Sequence, residues 1–212
     1  MIIRAEEMIR DVRVAIDMNH TDNELLRTGD SETLELDEII RAKLCDAVRI
    51  VETEAPVWLL ESGHSFGERH VYIGTDGKGY VILPEDFMRL VSFRMNDWQR
   101  TVYEAISASD PEYERQSSKW KGVCGNTEKP VVAIVRRAEG KVLEFYSSRD
   151  ETARVAQASY IPYPRIDPSG GIDVSEGCYR SAVYRAAGLA LASVGDQLSG
   201  TMIELSRAML QG

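Results

Sequence analysis

The hydrophobic positions of this 212-residue chain change their period twice. Near the N-terminus, Ile2, Ile3, Met8, Ile9, Val12 and Ile16 recur at three- and four-residue spacing, with Arg4, Glu6, Glu7, Arg10, Asp11 and Arg13 between them. That spacing predicts an amphipathic helix ending near Met18-Asn19. The polar stretch from His20 to Leu36, containing Gly29, predicts a loop. A second stripe of Ile39, Ile40, Leu44, Ala47, Val48 and Val51 predicts a helix from an N-cap at Asp37 to about Glu54, stopped by Pro56.

From about Trp58 to Pro164 the texture turns to short apolar runs with turn punctuation. His70–Ile73 and Tyr80–Leu83 flank Gly74-Thr-Asp-Gly77-Lys-Gly79, which predicts a β-hairpin. Val91–Met95 and Gln99–Ile106 predict a second strand pair about Asn96-Asp97-Trp98, and Val131–Arg136 with Lys141–Tyr146 a third. Asp110-Pro111 has the residues of an N-cap and first helical position for a short helix to about Ser118. Arg154–Tyr160, closed by Pro162 and Pro164, predicts an edge strand. After a loop over 165–173, Ser175 is the expected N-cap of a helix from Glu176 to about Val194. Its stripe of Tyr179, Ala182, Val183, Ala186, Leu189, Ala190 and Ser193 is rich in small residues that allow close helix approach. Thr201–Leu210 predicts a last helix beyond Gly195 and Gly200. The expected fold is therefore α+β, with N- and C-terminal helices forming a helical bundle and a β-rich subdomain inserted between them. The expected boundaries are 1–56 for the N-terminal helix pair with its acidic linker, 57–164 for the β-rich subdomain, and 165–212 for the closing helices.

Composition narrows the class of protein. With 43% hydrophobic and 28% charged residues, the chain has ordinary globular values. A chain of this length buries roughly 70% of its unfolded surface, enough for one sizeable core or two small ones. Its longest apolar run falls well short of the roughly 18 residues a membrane span needs. The acids at Glu6 and Glu7 replace the basic and apolar blocks of a secretory leader, which argues against export. Three scattered cysteines, Cys45, Cys124 and Cys178, fit reduced thiols in a cytoplasmic setting rather than a disulfide framework.

Charge adds a second exclusion. The formal net charge is −9, and residues 1–55 hold fourteen acids against seven bases. Asp17 to Glu38 alone carries eight acids against Arg27. Such a surface repels phosphate backbones, whose binding depends on Lys and Arg displacing counterions. This argues against a sequence-reading DNA-binding protein, though not against a protein that stays beside DNA without gripping it.

No residue pattern declares a catalytic site. The Gly74–Gly79 cluster is followed by a strand and has no Ser or Thr after Lys78, so it reads as a turn rather than a phosphate loop. His20, His64 and His70 lack the paired short spacing of a zinc site. Cys124 sits in a glycine-flanked loop, where a nucleophile would need a nearby histidine and where a lone cysteine is more often incidental. There is no Gly-x-Ser-x-Gly elbow. Glu6-Glu7, Glu85-Asp86 and Asp150-Glu151 are sequence neighbours that point apart, which makes them poor acid–base couples. Trp58, Phe66, Phe87, Phe93, Trp98, Tyr103 and Trp120, interleaved with Arg89, Arg94 and Arg100, read as core and interface packing more readily than as a base-stacking surface.

Leu83-Pro-Glu-Asp-Phe-Met-Arg-Leu90 leaves one strand and enters Val91-Ser-Phe. It resembles the "LPxDFxR" turn of the head-to-tail adaptors of tailed bacteriophages, the podovirus tail-tubular and head-completion ring family. The order of the other features is similar to that family as well: an N-terminal helix pair, a β-rich middle, the segment Tyr160-Ile-Pro162-Tyr-Pro164, and a small-residue C-terminal helix at Tyr179–Ser193. The His20–Leu36 and Asp110–Asn126 segments have no counterpart in that pattern. The resemblance implies a non-enzymatic virion protein without a cofactor, forming a homo-oligomeric, dodecameric ring in the virion neck. Its partners would be the portal protein and the tail or further neck proteins, with genomic DNA passing through without specific binding and no membrane contact. It also marks Phe87, Arg89, Trp98, Tyr160, Pro162 and Pro164 as candidate assembly contacts, each with a plain core or loop reading beside it. Asp17, Asp22, Glu24, Asp30 and Glu32 form a candidate acidic channel or surface patch. Two other classes stay open: a small cytoplasmic enzyme with a site assembled from distant residues, such as Cys124 with His64 or His70, and a soluble oligomeric binding module.

Overall fold

The computed structural model describes residues 1–19, 36–61, 64–118, 120, 122–149 and 152–211. In chain order its elements are β1 (Ile2–Arg4), α1 (Ala5–Asn19), α2 (Leu36–Glu54), β2 (His64–Ser65), β3 (Val71–Ile73), β4 (Gly79–Ile82) and β5 (Phe87–Met95). There follow β6 (Ile106–Ser107), α3 (Pro111–Arg115), β7 (Val132–Arg137), β8 (Gly140–Phe145), β9 (Val155–Pro162), β10 (Gly171–Asp173), α4 (Tyr179–Ser193) and α5 (Ser199–Ala208). Two compact units result, one from Met1–Glu61 with Pro164–Gly212 and one from Ser62–Tyr163.

In the first unit α4 is the central helix, packed against α1, α2 and α5. Its Ala182, Ala186, Ala187, Gly188 and Ala190 are buried, so the small side chains do bring neighbouring backbones close. The expected helical bundle with an inserted β subdomain is nonetheless overturned. The described chain is sheet-rich, with ten strands in three sheets beside five α-helices, and it is only broadly α+β. The ends are not purely helical: β1 pairs antiparallel with β10, Ile2 opposite Asp173 and Arg4 opposite Gly171. Ile2 is 72% exposed while Ala5 is fully buried, so the first residues do not form one continuous helical stripe. The backbone groups of residues 2–4 are satisfied across a ladder to 171–173, a partner too distant in sequence for local periodicity to reveal.

Buried polar groups in this unit are held as pairs. Glu52, 2% exposed, accepts from the Ser175 backbone N–H at 2.8 Å and its hydroxyl at 2.9 Å. Ser175 thus spends its hydroxyl on Glu52 and makes no side-chain cap for the 3-10 turn Glu176–Cys178 that precedes α4. Arg185, 4% exposed, reaches Glu54 at 2.7 Å and the Ser206 hydroxyl at 3.2 Å. Ser181 and Ser206 exchange hydroxyl-to-carbonyl bonds across α4 and α5 at 2.8 and 2.9 Å.

The second unit packs two sheets face to face, β2-β9-β5 and β3-β4-β8-β7-β6. Between them lies one core of Phe66, Phe87, Phe93, Trp98, Phe145 and Tyr160, with Val81, Leu90, Met95, Val132 and Leu143. Alternation along the strands explains the layering. Val81, Leu143 and Phe145 face this core, while Tyr80, Val142 and Tyr146 face a smaller cluster with Tyr113 from α3. The β3–β4 and β7–β8 hairpins form where the sequence places them. Asp110 caps α3 through a 2.8 Å bond from the Glu112 N–H, with Pro111 at the first turn.

Two strand expectations need correction. Beyond Met95 there is no second hairpin. Only Phe93 and Val102 bridge, and β6 instead pairs parallel with β7. The segment expected at an edge, β9, lies in the centre of its sheet. β2 and β5 lie at its two edges, and β5 pairs with β9 through register shifts between Phe87 and Arg89, Leu90 and Ser92, and Arg94 and Met95.

Gly188→Ala tests whether α4 is set by packing or by propensity. An added Cβ would lie 2.7 Å from Ile203 Cγ1 and 3.1 Å from the Ser199 carbonyl, whereas at Gly200 it would meet nothing within 4 Å. Urea denaturation is expected to show Gly188→Ala losing about 1–3 kcal/mol and Gly200→Ala gaining up to about 1 kcal/mol. Glu52 supplies a pH-dependent companion. Burial raises its carboxyl pKa against the opposing Ser175 bonds. A raised carboxyl favours the fold below the unfolded value and loses that contribution as pH rises. Glu52→Gln is therefore expected to be more stable than the parent at pH 7, with the difference closing below about pH 4.

Candidate functional site

The two segments that carry the resemblance meet on paired strands. Register places Phe87 opposite Pro162, Arg89 opposite Ile161 and Leu90 opposite Tyr160. A turn closes at Pro84, whose carbonyl accepts from the Phe87 N–H at 3.1 Å. Asp86 then ties both strands together. Its carboxylate accepts from the Tyr160 hydroxyl at 2.9 Å, and its carbonyl accepts from the Tyr163 N–H at 2.7 Å. Phe87 and Tyr160 stack with centroids 5.5 Å apart.

This corner separates the candidate contact residues by depth. Phe87, Trp98 and Tyr160 are interior, each 5% exposed or less, and hold the core together. Arg89 and Pro162 are half-buried, and Pro164 begins the C-terminal part of the other unit. Trp98 lies apart from the corner, its indole N–H donating to the Ser147 carbonyl at 2.5 Å. Glu85 and Tyr163 are the exposed residues of the corner, with Lys141 lying 5.2 Å over the Tyr163 ring and donating to the Phe87 carbonyl. Tyr163 was legible only as part of a proline-bounded segment, and nothing in the sequence marked Asp86 as the tie or Lys141 as its neighbour. Asp17 is exposed on α1, while Asp22, Glu24, Asp30 and Glu32 lie outside the described residues.

The acidity itself follows the units. Residues 62–163 hold fourteen bases and fourteen acids, and the remainder holds eleven and twenty. The whole excess therefore belongs to the Met1–Glu61 and Pro164–Gly212 unit.

A charged cluster missed by motif reading sits on the outer face of the larger sheet. Glu144, 7% exposed, accepts from Arg137 through both Nε and Nη2, at 2.9 and 2.5 Å, and from the Tyr113 and Tyr146 hydroxyls at 3.1 and 3.0 Å. Arg137 also lies 4.3 Å above the Tyr80 ring, itself stacked on Tyr72. The available signal was strand parity: Tyr80, Arg137, Glu144 and Tyr146 all fall on the face opposite the apolar core. Burial, reinforced by the Glu144 charge, pushes the Tyr146 hydroxyl far above the ordinary tyrosine range. The cluster lines a cavity of about 480 Å³ with Lys78, Gln116 and Ser117.

A second cavity of about 580 Å³ shares Lys78, Ser117 and Tyr146 and is walled by Cys124, Ser147 and Arg149. Neither His64 nor His70 lines it, so the structure does not bring Cys124 to a histidine there. His64 packs edge-on to Tyr160, and His70 to Tyr72. Among the described residues no group of three or more His, Cys, Asp or Glu side chains is placed to hold a metal ion, and no helix is long and apolar enough to cross a membrane. No family model matches the chain, and no curated protein matches it.

Tyr146→Phe tests the Glu144 cluster. Because the folded state holds the phenol protonated, stability falls as pH rises above the unfolded tyrosine value of about 10. The variant is expected to lose roughly 1–2 kcal/mol at pH 7, from one hydrogen bond to a charged acceptor. It should also show a shallower loss between pH 10 and 11 in denaturation midpoints. An unchanged alkaline slope would place the effect elsewhere.

Proposed function

We propose that the chain is a structural subunit of a head-to-tail adaptor ring, sited at the portal–tail junction of a tailed phage. There it would extend the DNA channel and join portal to tail. The observation that carries this reading is the convergence of Leu83–Leu90 with Tyr160–Tyr163. The two resembling segments lie some seventy residues apart, yet they form one cross-tied corner through Asp86 and Tyr160. A cross-tied corner presenting Glu85 and Tyr163 at its surface suits a contact that must recur in register from subunit to subunit.

Segregated charge supports the same reading. A channel wall must let duplex pass without holding it, and a unit carrying the entire −9 excess offers phosphates no counterion-releasing grip. The β-rich unit, with equal numbers of acids and bases, offers a surface able to meet protein partners without like-charge repulsion.

The test is co-expression with the portal protein encoded in the same genome, followed by affinity purification and electron microscopy. The expected product is a ring of this chain seated on the portal with the portal's symmetry. Tyr163→Ala and Glu85→Lys, both at exposed positions, should weaken that association by about 1–3 kcal/mol each without lowering Tm. Failure to co-purify under low and high salt, with this chain remaining monomeric, would falsify the assignment.

A further inference from the structure

The hairpin turn at 74–79 is clamped rather than free. A Cβ at Gly77, whose φ is +77°, would lie 2.5 Å from the Ser148 carbonyl oxygen, and the Ser148 N–H donates to the Gly77 carbonyl at 2.8 Å. At Gly79 a Cβ would collide with the Phe145 ring and the Tyr72 carbonyl. Only glycine allows this approach. Its result is that Lys78, between the two glycines, is carried to the wall shared by the 480 and 580 Å³ cavities.

The clamp falls on a chemically labile bond. Asp76-Gly77 is the one Asp-Gly step in the chain, which contains no Asn-Gly. Aspartate before glycine is prone to isomerise, because no Cβ on the next residue shields its backbone nitrogen. The Gly77 nitrogen attacks Asp76 Cγ, forming an N–C bond, and the carboxyl hydroxyl leaves with the amide proton as water. Water then opens the succinimide so formed. Cleavage at Cγ restores aspartate, whereas cleavage at the α-carbonyl leaves isoaspartate, whose main chain is longer by one carbon. The water released is taken up again, so no other reactant is needed.

Both reacting groups are in place, and both are held. Asp76 is exposed, so water reaches its carboxyl. Its Oδ1 accepts from the Lys78 backbone N–H at 3.2 Å, and the Gly77 N–H donates to the Gly74 carbonyl at 3.0 Å. Attack requires the Gly77 nitrogen to give up that proton and its hydrogen bond. The product fits no better. The Gly74 N–H reaches the Lys78 carbonyl at 2.7 Å while Ser148 holds Gly77. A main chain lengthened at residue 76 cannot keep both contacts.

We propose that Asp76-Gly77 is a site of spontaneous aspartyl isomerisation gated by the fold. The closed hairpin holds the reaction off, and local opening of the 74–79 turn away from Ser148 lets it proceed. Isoaspartate cannot re-form the clamp, so each event leaves the turn detached and takes Lys78 from the cavity wall. The inference stands apart from the adaptor reading and survives its failure.

The full chain is aged near neutral pH, folded and in urea, and isoaspartate at residue 76 is quantified by peptide mapping with electron-transfer fragmentation. Hydrogen exchange of the Gly77 and Ser148 amides, followed by NMR, gives the open fraction of the turn in the folded chain. The folded chain is expected to isomerise at least about tenfold more slowly than the unfolded one, at the unfolded rate multiplied by that open fraction. Gly79→Ala, whose Cβ meets Phe145, should open the turn and speed the reaction towards the unfolded rate. Asp76→Asn keeps an acceptor for the Lys78 N–H and passes through the same succinimide with release of ammonia. Its folded and unfolded rates should stand in the same ratio, a readout that holds even where Gly79→Ala fails to fold. The proposal is overturned by equal rates in the folded and unfolded chain, by a folded rate departing severalfold from the open-fraction product, or by isoaspartate arising first at another aspartate in urea.

Discussion

Phe66, Phe87, Phe93, Trp98, Phe145 and Tyr160 must all be kept from water, and the second unit is arranged around that requirement. Burying one such side chain stabilises by roughly 1.5–3 kcal/mol, more than an ordinary neutral hydrogen bond. The rings meet edge-on or offset, with Phe66 in contact with Phe87, Phe93 and Tyr160 at centroid distances of 5.9–6.2 Å. No one strand supplies them. β5 gives Phe87 and Phe93, β8 gives Phe145, β9 gives Tyr160, and Phe66 and Trp98 come from the segments that follow β2 and β5. The core therefore fixes which strands are neighbours. The polar ties at its margin, Tyr160 to Asp86 and Trp98 to Ser147, satisfy the two heteroatoms that aromatic burial would otherwise strand.

The helical unit works under a different constraint. Its central helix is lined with alanine and glycine, so it buries little area per residue and gains instead from close backbone approach. Close approach leaves little room for water, and the polar groups caught inside must answer one another: Ser181 with Ser206, Arg185 with Glu54 and Ser206, Glu52 with Ser175. A neighbour such as Glu52 is tolerated because two donors reach it, though its charge still costs stability.

Local pattern was enough to read what is local. The Gly74–Gly79 and Glu139-Gly140 turns, the Asp110 cap and the stripe of α2 each draw their stability from residues within a few positions, and each is found in place. What failed depends on distant partners. β1 exists because 171–173 lies beside it, β6 because β7 offers a parallel edge, and β9 is central because β2 joins its other side. The candidate site divides likewise. Phe87, Arg89, Tyr160 and Pro162 were marked from two short motifs, but that they meet was not legible. The Glu144 cluster and the Lys78 wall rest on strand parity and on glycine packing, which carry no motif.

A nine-residue strand at a sheet edge bears on how such a protein behaves when crowded. β5 offers one flank of its backbone to whatever comes near, and straight exposed edges template pairing between chains. Three register shifts interrupt this one, and the Val102 bridge at Phe93 occupies its C-terminal part. These departures from a straight ladder make β5 a poor template for edge-to-edge pairing with another chain.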